Sequence, residues 1–90
     1  MRLPSIHLNG SDAQSLFDGY KAAYEAVKAA QAALAQCAPN GRDYYLQTGN
    51  ATNEAMAEHR ARMAALETIE RDLETFALHV VEFGGSKVRT

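Results

Sequence analysis

Residues 56–83 read MAEHRARMAALETIERDLETFALHVVEF, and this stretch decides the fold. Met56, Met63, Leu66, Ile69, Leu73, Phe76, Val80 and Phe83 follow one another at three or four residues, with His59 on the same line. At 3.6 residues per turn that spacing lays them along one stripe of a single helix. Glu58 with Arg62, and Glu67 with Arg71, stand four apart on the flank and can pair across a turn. Asn50 or Thr52 is placed to cap the start, and Glu54 puts a carboxylate in the first turn, where the helix dipole favours it. Gly84-Gly85 stops the pattern, so a helix is expected over 53–83.

A second stripe lies upstream: Leu16, Phe17, Tyr20, Tyr24, Val27, Ala30, Leu34 and Cys37. Alanine fills much of the space between, which favours helix, and the expected span is 12–37. Ser11-Asp12-Ala13-Gln14 reads as a capping box, with Ser11 accepting from a backbone N–H and Gln14 reaching back. Gly19 inside the pattern costs about 1 kcal/mol against alanine, which suggests close approach of a neighbour there. Pro39-Asn40-Gly41 ends the helix, with Asn40 or Gly41 expected in the left-handed conformation. The connection, 38–52, is longer than the roughly 2–8 residues usual between paired helices. Residues 1–10 alternate loosely through Leu3, Ile6 and Leu8 around Pro4, an extended arm and a candidate edge strand. Residues 84–90 form a short polar tail, frayed or paired with the arm.

The expected fold is therefore all-α: one domain, a long antiparallel helical hairpin with a short extended N-terminal arm. Helices of roughly 26 and 30 residues would be about 40 and 45 Å long and bury one stripe each. Apolar residues also sit beside the stripes, Leu16 next to Phe17 and Ala77 next to Phe76. Two helices alone leave these wet, so a homo-oligomer, dimer or higher, closing into a helical bundle is expected. A chain of 90 residues has little core of its own, and Cys37 is its only cysteine, so disulfides cannot make up the deficit. His7, His59 and His79 are scattered, which argues against a metal.

The formal charge of −2 and arginines interleaved with glutamates exclude a binder of DNA or RNA polymers. The N-terminal residues carry no apolar signal-peptide core, and no run approaches a membrane span, so a cytoplasmic location is expected. Cys37 has no evident histidine partner and the carboxylates are spread as helix-surface charges. No catalytic residue and no cofactor is expected.

Three constellations could carry function. The loop gathers Asn40, Arg42, Tyr44, Tyr45 and Gln47, with Gly41 and Asp43 between. Arginine offers a planar fork for phosphate, tyrosine a face for stacking a base, and the amides edge-reading hydrogen bonds. The alternative is that the tyrosines roof the end of the bundle while Arg42 pairs with Asp43 or a helix carbonyl. Next, His59 and Arg62 lie where the hairpin returns beside the loop, and could complete an anion site. Their plain alternatives are a core histidine and a surface ion pair. The third is Tyr20 and Tyr24, one turn apart, either core or facing a groove left by the oligomer.

The arm Ile6-His7-Leu8-Asn9-Gly10-Ser11, the alanine-rich helix, the run Ala38-Pro39-Asn40-Gly41-Arg42-Asp43-Tyr44-Tyr45 and the later Glu58-His59-Arg60-Ala61-Arg62 resemble small phage and prophage helical proteins. In size, oligomer-prone helices and an aromatic-plus-arginine loop, the chain also resembles the viral sponges that sequester cyclic nucleotides of host immune signalling. That resemblance implies a phage counter-defence protein that holds a small anionic nucleotide without turning it over. Its ligand-binding residues would be Asn40, Arg42, Tyr44, Tyr45, Gln47, His59 and Arg62. The competing expectation is an anti-CRISPR-like inhibitor of a protein partner, or a phage assembly or structural protein, acting through the helix surface.

Overall fold

A computed structural model describes residues 1–6, 10–44, 46–47, 49–84 and 88–90. Among them the chain is helical: α1 spans Gly10–Ala35, α2 Gly41–Tyr44 and α3 Ala51–Gly84. The long helices pack against each other, and α2 rests on α3. Contacts descend along α3 as they ascend along α1. Ala13 approaches Gly84, Tyr20 stacks on Phe76 with ring centroids 4.8 Å apart, and Lys28 meets Glu70.

The two long helices arise where the stripes predict them, but their ends differ. α1 begins at Gly10 rather than residue 12, so Ser11 lies inside the first turn. Gln14 turns its side chain toward α1 and the tail. Its amide donates to Asp18 Oδ1 at 2.9 Å and to the Arg89 carbonyl at 3.0 Å, and its Oε1 accepts from the Arg89 N–H at 2.7 Å. At the other end α1 stops at Ala35 and tightens: the N–H groups of Gln36 and Cys37 donate three residues back, to Ala33 and Leu34. That short turn satisfies the last carbonyls without a left-handed residue. Neither Asn40 nor Gly41 has positive φ; among the described residues only Gly49 does, at 72°. The Asn50 carbonyl accepts the Glu54 N–H at 2.8 Å, which puts Asn50, not Thr52, at the start of α3.

The arm and tail also depart from expectation. Residues 1–6 form no strand, and His7, Leu8 and Asn9 lie outside the described residues. The arm nevertheless docks: Ile6 packs on the core, and His79 Nε2 donates to the Pro4 carbonyl at 2.8 Å. A carbonyl can only accept, so this nitrogen carries a proton. The tail is not frayed at residues 88–90. Val88 packs on the core, Arg89 is clamped by Gln14, and Lys21 Nζ donates to the Thr90 carbonyl at 3.3 Å. It pairs with α1, whereas the sequence suggested the arm.

Among the described residues the buried apolar side chains all lie at this end of the molecule. Ala13, Phe17 and Val80 form the buried apolar cluster, with Ile6, Leu16, Tyr20, Ala77, Val81 and Val88 packed around it. Arm, tail and both helices meet there. The Cα envelope is 60 × 21 × 13 Å, one helix layer thick. Its radius of gyration is 18.8 Å, against about 12 Å for a compact domain of this length.

Two glycines exchange the roles that sequence suggests. A Cβ at Gly19 would meet nothing within 4 Å, so no neighbour requires glycine there. A Cβ at Gly84 would lie 2.6 Å from Val88 Cγ2 and 3.2 Å from Ala13 Cβ. Gly19→Ala is therefore expected to stabilise the chain by about 0.5–1 kcal/mol, the helix penalty of an interior glycine. Gly84→Ala is expected to destabilise it by about 1–3 kcal/mol through overpacking against a β-branched side chain with little freedom to yield. Urea unfolding of the two variants checks both signs.

Candidate functional site

Phe17, Lys21, Tyr24 and Glu25 fall on one face of α1, since four residues separate the first two and the others lie one turn on. Glu74, Ala77 and Leu78 do the same on α3. The two ridges flank an open groove of about 290 Å³. Its floor is apolar: Phe17 is buried, and Tyr24 and Ala77 are half-buried. Its lips are Lys21, Glu25 and Glu74, all exposed, and Leu78, whose side chain is 60% exposed. An exposed leucine beside a hydrophobic floor is the informative feature, because it lies off the main α3 stripe and nothing among the described residues covers it.

A polar node lies one turn nearer the loop. Glu70 accepts from Gln31 Nε2 at 3.1 Å and pairs with Lys28 Nζ at 3.1 Å. The Gln31 hydrogen bond, then the Lys28 ammonium, hold the Glu70 carboxyl below its ordinary range. The Glu70 hydrogen bond and charge hold Lys28 above its own. These links tie α1 to α3 where the apolar packing thins.

The loop residues occupy the opposite end. Asn40 Oδ1 accepts the Arg42 N–H at 2.9 Å and its carbonyl accepts the Asp43 N–H at 3.2 Å, so Asn40 caps α2. The Tyr44 carbonyl accepts the Gln47 N–H at 3.0 Å. Asn40, Arg42 and Gln47 are exposed and Tyr44 is half-buried; Tyr45 lies outside the described residues. Among the described residues Arg42 makes no ion pair, neither with Asp43 nor with a helix carbonyl. His59 is buried at 9% exposure, and Arg62 faces solvent beside Glu58 at 3.8 Å. The structure thus gathers Asn40, Arg42, Tyr44 and Gln47 on one connection. His59 and Arg62 share no hydrogen bond or ion pair with them among the described residues. The flank pairing of Glu67 with Arg71 is likewise not made among the described residues.

Sequence reasoning singled out Phe17, Tyr24 and Ala77 but did not join them with Lys21, Glu25, Glu74 and Leu78 as one surface. The available signal was Leu78, an apolar residue that the α3 stripe does not use. Among the described residues no helix is long and apolar enough to cross a membrane. Comparison with known protein families, curated proteins and solved structures gives no match.

The Glu70 node sets a pH dependence. A carboxyl whose folded pKa is depressed contributes stability above its unfolded value, and loses it as pH falls through the folded value. Lys28, raised from 10.5, contributes below that value and loses it as pH rises through the folded one. The wild-type chain is expected to exceed Glu70→Gln in thermal midpoint near neutrality. That margin should shrink in acid, below the ordinary 4.5 of glutamate, and again in strong alkali. Circular dichroism melts of both proteins across pH measure it; a margin independent of pH contradicts the assignment.

Proposed function

We propose that this chain is a non-catalytic binding protein that works through the surface of its helix pair, an antiparallel hairpin that takes an amphipathic helix of a protein partner into the groove. The observation that carries this reading is the exposed Leu78 on the lip of an apolar floor. At about 290 Å³ the groove is at the small end of ligand pockets, which run about 300–1,000 Å³ and enclose most of their ligand. An open trough between helix ridges suits side chains arriving at i, i+3 and i+4 from a third helix. In the phage setting that the sequence resembles, this is the behaviour of an inhibitor or an assembly protein.

A fluorophore placed at the rim tests this. Glu74→Cys in a Cys37→Ser background, labelled with a solvent-sensitive dye, is titrated with Lys-rich and Glu-rich amphipathic helical peptides and with the unlabelled chain. At least one should give a saturable blue shift, and adding Leu78→Glu should abolish it. No shift with any of the three contradicts the reading.

A second reading is capture of a small anionic nucleotide by the loop, favoured by the exposed Arg42 guanidinium with no ion pair among the described residues. Asn40, Arg42, Tyr44, Tyr45 and Gln47 would make the contacts, with His59 and Arg62 in support. Arg42→Ala removes the phosphate fork. Tyr45→Ala removes a stacking face, an effect of about 1–3 kcal/mol where such stacking is made. Calorimetry against cyclic di- and trinucleotides is expected to show both losses with helicity unchanged; no heat of binding with the wild-type chain eliminates this reading.

A further inference from the structure

The tail lies on α1 in a manner that marks a second binding site, apart from the groove. We infer that the face of α1 from Ala13 to Lys21 reads an extended peptide segment of a partner protein, with the chain's own tail as a tethered competitor for the same place. Three consecutive tail residues are held there, each by a different contact. Val88 fills a notch between two small residues, one from each long helix: a Cβ at Gly84 would lie 2.6 Å from Val88 Cγ2 and 3.2 Å from Ala13 Cβ. The Arg89 N–H donates to Gln14 Oε1 at 2.7 Å, and the Arg89 carbonyl accepts from Gln14 Nε2 at 3.0 Å. The Thr90 carbonyl accepts from Lys21 Nζ at 3.3 Å.

One planar amide meets both main-chain groups of a residue when that residue is extended, with N–H and C=O on the same side, as in a hydrogen-bonded pair of an antiparallel sheet. The flank of a helix has no free main-chain groups to offer, so Gln14 supplies the donor and the acceptor from its side chain. Its other N–H donates to Asp18 Oδ1 at 2.9 Å, which fixes the way round that the amide faces. The mode is that of strand addition: main-chain bonds hold the segment, and a pocket for one side chain selects it. Val88 is half-buried, whereas Arg89 and Thr90 are exposed. The ligand class is therefore an extended segment with a small β-branched residue, then a residue with a free N–H, its side chain unrestricted. A tail joined to α3 through three residues acts at an effective concentration of about millimolar. The same tail from a second copy makes the same contacts and loses to that tether at micromolar concentration. A foreign segment wins by reaching further. The tail ascends α1 from Ala13 to Lys21, and Lys21 is also a lip of the groove, with Tyr24 one turn beyond.

Titration of the isotope-labelled full chain with a peptide of residues 86–90, Ser-Lys-Val-Arg-Thr, tests this by nuclear magnetic resonance. The amide signals of residues 13–21 and the Gln14 carboxamide report the site even where binding is weak. Two variants free it of the tail: Val88→Asp puts a charge into the notch, and Arg89→Pro removes the N–H that Gln14 accepts. Circular dichroism confirms helicity, and either variant suffices, so a fold lost in one does not decide the outcome. The peptide should bind saturably, at least about tenfold more tightly than to the wild-type chain, whose tail competes. Adding Gln14→Ala should abolish the shifts. A peptide with alanine in place of Arg89 should bind like the parent. One N-methylated at that residue, or with aspartate in place of Val88, should not bind. No binding to the freed variants overturns the inference. So does binding that Gln14→Ala or the N-methyl group leaves unchanged, or equal affinity for the wild-type chain. A wild-type dimer at micromolar concentration that Arg89→Pro dissolves gives the site to a second copy and overturns the foreign segment. The Glu74→Cys dye reads the groove separately, so either reading can fail alone.

Discussion

Two helices laid side by side have no interior, and every feature of this molecule follows from that constraint. Each helix offers the other one stripe, and the stripe's edges remain open to water. A side chain is enclosed only where a further segment crosses the pair. His59 is buried toward the loop, but for apolar side chains, among the described residues, that happens at the end where α1 begins and α3 finishes. Val80, with no exposed surface, marks the place. Ile6 from the arm and Val88 from the tail supply the missing walls. The tail is held there by backbone pairing with a side chain: Gln14 offers Arg89 the acceptor and the donor that a neighbouring strand would offer. The absence of a side chain at Gly84 lets the returning chain lie against α3.

Away from that end, polar links replace burial. Glu70 bridges Lys28 and Gln31 across the pair, and α2, capped by Asn40, rests on α3. Partly exposed ion pairs are worth little individually, so the loop half of the helix pair is the looser half. The groove of Phe17, Tyr24, Ala77 and Leu78 lies between the two regimes. It borders the buried cluster, so its floor is held by packing, and Lys21 on its rim reaches the tail at the Thr90 carbonyl, while Leu78 on the opposite lip stays exposed. A firm apolar surface that no described segment covers is the feature on which the proposed binding role rests.

The helices were legible because periodicity is set by the backbone and survives any tertiary arrangement. Met56 through Phe83 and Leu16 through Leu34 mark α3 and α1 in the sequence. Their ends were less so, because α1 finds its end bonds locally, in the turn at Gln36 and Cys37, rather than through a left-handed Asn40 or Gly41. The contrast between Gly19 and Gly84 shows the limit plainly. Both are glycines at helical positions, and only the path of the tail, a long-range property, makes one of them necessary. The loop cluster was visible as residue chemistry, and the burial of His59 was visible in its place on the α3 stripe. The groove was hardest to see, since it takes residues from the margins of two stripes whose relative rotation the sequence does not encode locally.

The central claim is that the fold is anchored at one end, by the cluster of Ala13, Phe17 and Val80 under the arm and tail. Native-state amide hydrogen exchange tests it most directly, because it resolves opening free energies along each helix. The account predicts the slowest exchange at residues 16–21 of α1 and 76–82 of α3. Protection should fall progressively toward residues 30–35 and 51–58. Protection that is uniform along both helices, or greatest at the loop end, would contradict it.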